Sequence, residues 1–175
     1  MRFQEYDWRR SSIAAILDAV GSALQGIGKS VADGDMDVDE AVEQSESFLG
    51  IAFVAMQTYI YGAVADAGKI AKASGKERVD KSLTKFSDKV PNNSVTKIQV
   101  CDAIANYFKH EWPNWTPKPA RWEARKPLYD AGITEDTDHP CQDAATILLG
   151  PNTADLSPLL SMLTDWRDKL IGASK

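Results

Sequence analysis

Three observations predict an all-α fold, a helical bundle built around one long central helix. Phe48–Ala65, FLGIAFVAMQTYIYGAVA, runs eighteen residues without a charge. Apolar residues recur at three- and four-residue steps on either side of it, and no segment joins strand alternation to turn residues. At about 1.5 Å per residue the stretch is long enough to cross a bilayer. Glu43, Glu46 and Asp66 crowd its ends, however, and the mean hydropathy of the chain is -0.32. The expectation is a core helix that is apolar all round because neighbouring helices sheathe it.

The elements follow in order. Ile13, Ile16, Leu17, Val20, Leu24 and Ile27 mark one face of a first helix over residues 3–29, with Gly21, Gly26 and Gly28 weakening its far end. Residues 31–37 read as a turn, and Asp37 or Asp39 caps the second helix. That helix spans about residues 38–73, roughly 50 Å if straight, with Gly62 and Gly68 as places to bend or stop. In the polar stretch 75–93, the spacing of Val79, Leu83 and Phe86 suggests a short helix ended by Pro91-Asn92-Asn93. Ser94 then caps a third major helix, from about Val95 to Trp112, which Pro113 terminates.

The C-terminal half is more broken. WPNWTPKPARW (residues 112–122) is an irregular, Pro- and Trp-pinned path, with Trp112, Trp115 and Trp122 as anchors to the core. A short helix over 119–130 follows. Residues 132–140 form a loop, 141–149 another short helix, Gly150-Pro151 a break, and 156–170 a terminal amphipathic helix.

A chain of 175 residues fits a single α-helical domain over 1–175 and can bury a core without disulfides or metals. The net charge of -5 argues against a surface that grips nucleic acid everywhere, while leaving room for a local basic pocket. Cys101 and Cys141 lack metal-type spacing and read as small buried side chains in a reducing compartment. The first residues, MRFQEYDWRRSS, have no signal-peptide pattern, so the expected location is cytoplasmic, with no membrane span. No cofactor motif is present. Asp35, Asp37, Asp39 and Glu46 imitate the ends of a calcium loop, but Glu40 stands where its turn needs glycine; they are read as an acidic helix N-terminus, and no metal is expected.

The chemistry concentrates on the third helix. At 100° per residue Val100, Cys101, Ile104, Tyr107, Phe108 and Trp112 share an apolar face, while Asp102, Asn106 and His110 form a polar line turned away from the interior. His110 falls in the last turn, where the helix dipole favours a cation, with Lys109 beside it. Such a line is ordinarily a solvated or hydrogen-bonded face.

The run Ala105-Asn106-Tyr107-Phe108-Lys109-His110 resembles the R-N-x-x-x-H signature of the HEPN superfamily, helical-bundle proteins many of which are metal-independent RNases or toxins. The likeness covers about six residues and their helical setting. It implies a phosphate-facing His110 and an orienting Asn106 as candidate catalytic residues. The chain departs where the family has its arginine: Ala105 groups with the apolar residues and carries no charge. Lys109 is a cation, but its flexible ammonium does not replace a bidentate guanidinium.

The leading expectation is therefore a HEPN-like bundle that is non-catalytic and binds a protein partner or RNA, with Asp102, Lys109, Arg121 and Arg125 as candidate contacts. A homodimer is expected from self-complementary apolar helices. The first alternative is a metal-independent ribonuclease in which His110 is the acid or base and Lys109, Arg121 or Arg125 supplies the missing charge. The second is a structural or immunity-type protein whose acidic surface blocks a basic partner. Arg9-Arg10 and the run from Arg121 to Lys126 are the compact basic groups; Trp122 between arginines would suit a base, and a solvated helix face suits them as well. His139, flanked by Asp136 and Asp138, would join a site only by meeting His110 in space.

Overall fold

The computed structural model describes residues 6–75, 86–91, 93–112 and 122–175. These form α1 (Arg10–Asp33), α2 (Val38–Ala73), α3 (Lys97–His110), α4 (Trp122–Asp130), α5 (Pro140–Leu149) and α6 (Ser157–Ser174). The fold is all-α. Among the described residues no strand forms, and Lys89 and Thr96 make an isolated antiparallel bridge.

α2 is the central helix, packed against α1, α3, α5 and α6. Asp37 starts it, its side chain accepting the Glu40 amide N–H at 2.7 Å. The helix then continues unbroken to Ala73, so neither Gly62 nor Gly68 ends it. Its small residues serve close approach instead. A methyl at Gly50 would lie 2.1 Å from the Phe108 ring, and one at Gly62 would lie 2.4 Å from Arg9 Nε. Gly50 therefore lets α3 lie against α2, and Gly62 leaves room for the Arg9 side chain to reach Asp66.

The core gathers on α2 around Phe53, Met56 and Ile60, with Leu17 from α1, Ile98 and Ile104 from α3, Leu128 from α4 and Leu163 from α6. Complete sheathing of the apolar stretch is corrected: Ile51, Thr58, Tyr61 and Ala65 are exposed on one side, Ile51 and Tyr61 each at 51%. Among the described residues no other helix crosses that stripe, because α1, α3, α5 and α6 pack on the remaining sides. α1 and α2 are each long and apolar enough to cross a membrane, and half of the apolar window of α2 is buried inside the bundle.

Several boundaries differ from expectation. α1 does not fray at its glycines but runs to Asp33, where Gly34 takes φ 77° and the amides of Gly34 and Asp35 reach the Val31 and Ser30 carbonyls. That left-handed closure satisfies end carbonyls. Packing against α2 and α6 holds the weak sequence helical. Thr96, and not Ser94, caps α3. Its side chain accepts the Gln99 N–H while Gln99 accepts the Thr96 N–H at 2.9 Å, a reciprocal box that the S-V-T run concealed. Phe86 has φ 67° and stands outside any helix; Val79 and Leu83 lie outside the described residues, as do Trp115 and Arg121. Trp112 is 36% exposed beyond the end of α3 and tilts against Phe108 with ring centroids 5.3 Å apart.

Candidate functional site

The polar edge of α3 is built against α2. Asp102 and Asn106 sit one turn apart and half-buried, and both face Gln57, the long polar side chain within the apolar stretch. Gln57 Nε2 donates to Asp102 Oδ1 at 2.7 Å, to the Asp102 carbonyl at 3.2 Å and to Asn106 Oδ1 at 3.0 Å. One amide nitrogen carries two hydrogens, so the three acceptors share them. Tyr61 stands at the same edge; partial burial and the hydrogen-bonded Asp102 carboxylate push its pKa up to about 12. The line was expected to turn away from the interior. Two of its three members instead join α3 to α2, because an unpaired Gln57 in this setting would lose its water without compensation.

His110 and Lys109 lie beyond this network. Both are exposed in the last turn of α3. Ala105 is fully buried in the core, so the position that would hold an arginine faces hydrophobic neighbours and not the side that bears His110.

Arg125 was a candidate contact for nucleic acid or a partner, and also for the missing cation. The structure places it in a buried ion pair. It is 4% exposed, with Nε donating to Glu111 Oε1 at 3.1 Å and the second nitrogen bonding Glu111 Oε2, a two-point pair joining α4 to the end of α3. Asn106 is likewise committed through its carbonyl oxygen. Arg9 pairs with Asp66 and lies over the Trp8 ring at 4.1 Å from the centroid.

Two further polar groups, Glu46 and Asp7, are structural devices that sequence reading missed. Glu46 is 2% exposed and accepts the Cys141 N–H at 2.8 Å and the Gln142 N–H at 3.0 Å. It caps α5 from another helix. Burial raises its pKa, partly countered by the two backbone donors and by His139 nearby. At the N-terminal segment, Asp7 accepts the Tyr59 hydroxyl and lies 3.7 Å from Arg167 Nε, so this segment is tied to both α2 and α6. Burial, with Asp7 second, pushes the Tyr59 phenol far up. Cys101 and Cys141 are free and buried, and burial raises both thiols above their ordinary value.

A lone glutamate eight residues after α2 begins gives no sequence sign that it caps a helix ninety-five residues away. Gln57 was visible as the break in the apolar run, but its partners were not. His139 is the residue before α5 and makes no side-chain capping hydrogen bond there. Asp37 is spent on capping α2 and Glu46 on capping α5; among the described residues no cluster of potential metal ligands forms.

Comparison with protein-family models, with curated proteins and with solved structures finds no match to this chain.

Proposed function

We propose that this is a HEPN-like helical-bundle protein that acts by binding a protein partner and does not cleave RNA. The observation that carries the non-catalytic part is the fate of the residues that would have to assist His110. Ala105 is sealed in the core and Arg125 is held by Glu111, while Asn106 is drawn to Gln57. Stabilising the charge of a pentacovalent phosphate requires preorganised donors aimed at it, and among the described residues His110 with a flexible Lys109 supplies no such frame.

Support for a protein partner comes from α2. A soluble helix that leaves Ile51 and Tyr61 half in water has an apolar stripe suited to a second surface. Beside it, a groove of about 290 Å³ between α1 and α2 is lined by Trp8, Ile13, Ile16, Ala55, Thr58 and Tyr59.

The test is incubation of the purified chain with mixed RNA in chelator, across the pH range in which histidine titrates. The RNA stays intact. Metal-independent cleavage that vanishes in His110→Ala would overturn the reading and establish the ribonuclease alternative.

A further inference from the structure

α1 borders a second concave surface on the side away from the exposed stripe of α2. Ser12 and Ile16 line the groove shared with α2, whereas Ser11 and Ala14 line a cleft of about 590 Å³ shared with α6.

The cleft has two unlike ends. At one, Asp7, Arg10, Arg167 and Asp168 gather, because the Arg10 N–H donates to the Asp7 carbonyl at 3.2 Å and Arg167 Nε lies 3.7 Å from Asp7 Oδ2. The other end is apolar. Leu160 lies seven residues before Arg167, about 10 Å back along α6, and Ala14 lies one turn beyond Arg10 on α1. Tyr6, largely exposed, adds an aromatic ring at the border.

The bundle uses only part of the charged end. Arg167 is 3% exposed and committed: Asp7, which also accepts the Tyr59 hydroxyl, stands beside it, and Asp168 Oδ1 accepts from its Nη1 at 2.9 Å. A buried guanidinium braced in this way holds Asp168 in place. Asp168 itself is 72% exposed and spends one oxygen on Arg167, so its second oxygen is open to a donor. Arg10 is exposed and forms no ion pair among the described residues. One cation and one anion are therefore left over beside an apolar floor.

We propose that this cleft binds an apolar or aromatic α-amino acid. The ligand's carboxylate pairs with Arg10, its ammonium pairs with Asp168, and its side chain lies along Ala14 and Leu160. Arg10 and Arg167 balance Asp7 and Asp168, so the local field favours a ligand that carries both charges over a lone anion or a lone cation. A guanidinium also offers a carboxylate two parallel donors. Small-ligand sites join an apolar lining to a few polar groups that fix orientation, which is the division seen here. This goes beyond the protein-binding reading: the cleft lies on another side of α1 and holds its ligand whether or not the stripe of α2 is covered.

The experiment is titration of the nitrogen-labelled full chain with L-phenylalanine and with L-leucine, followed by amide NMR shifts, with circular dichroism on each variant to verify folding. Both amino acids bind in the millimolar range expected of so small a ligand, and the shifts centre on Ser11, Ala14, Leu160 and Asp168. Glycine lacks the apolar side chain, 3-phenylpropionate the ammonium and 2-phenylethylamine the carboxylate. Each binds about tenfold more weakly or worse. Arg10→Gln and Asp168→Asn, both at exposed positions, each weaken phenylalanine about tenfold. Asp168→Asn leaves 3-phenylpropionate no weaker, and Arg10→Gln leaves 2-phenylethylamine no weaker, because each of these lacks the group that the altered residue would hold.

No shift with either amino acid overturns the proposal, as does binding that glycine matches. Binding that both variants leave unchanged overturns it too, and so do shifts confined to the groove between α1 and α2. None of these outcomes touches the non-catalytic reading, which falls only to RNA cleavage.

Discussion

Gly50→Ala isolates the contact that brings the polar edge of α3 onto α2. An exposed glycine inside a helix would gain about 1 kcal/mol on replacement by alanine. At Gly50 the added carbon would meet Phe108 Cδ2, Cε2 and Cγ at 2.1, 2.2 and 2.5 Å, whereas ordinary contact begins near 3.4 Å. The ring must therefore retreat by about 1.3 Å. Behind it stands Trp112, so the movement spreads into α3. Overpacking of a core costs about 1–3 kcal/mol, and an overlap with three ring atoms belongs at the upper end. Steric cost less helix gain leaves the variant about 2 kcal/mol less stable, a melting point lower by about 4–8 °C for a chain of this size.

The decisive comparison is the same substitution in a Phe108→Ala background. With the ring gone only the helix gain remains, and Gly50→Ala becomes stabilising by up to about 1 kcal/mol. The sign reverses, giving a coupling near 3 kcal/mol. Urea unfolding of the four variants at one protein concentration measures it. A Gly50→Ala protein as stable as the wild type, or an equal loss in both backgrounds, would refute the packing argument.

Two further predictions concern buried charge. The folded pKa of Glu46 lies above its ordinary 4.5, so its contribution to stability is complete below that value and is lost as pH rises through the folded pKa. Relative to Glu46→Gln, which does not titrate, the wild type therefore gains stability as the pH is lowered. Chemical unfolding of both proteins over a pH series checks this, and a difference independent of pH would remove Glu46 from the account. Arg125→Met leaves Glu111, with 7% of its side chain exposed, without its guanidinium, and costs about 3–5 kcal/mol in urea unfolding. Adding Glu111→Leu to Arg125→Met recovers much of the loss, because the uncompensated charge goes with it; strictly additive costs would contradict a buried pair.

The chain by itself determined the helical architecture and the extent of α2. Periodicity of apolar residues is a local property, and Asp37 places the start of α2 through a hydrogen bond only three residues long. The burial of Ala105 beside Ile104 and Cys101 was also legible, since a helix wheel separates faces without knowing the neighbours. What lay beyond local reading were the partners. Arg125 was legible as a cation but not as one locked to Glu111, and Asp102 and Asn106 as a polar line but not as acceptors of Gln57. Glu46 looked like one more acid near an apolar run and proved to cap α5. Tertiary structure decided these because a charge or amide has a short reach and no preferred partner in the sequence. Once packing removes water from it, it must take whichever complementary group the fold brings within about 3 Å.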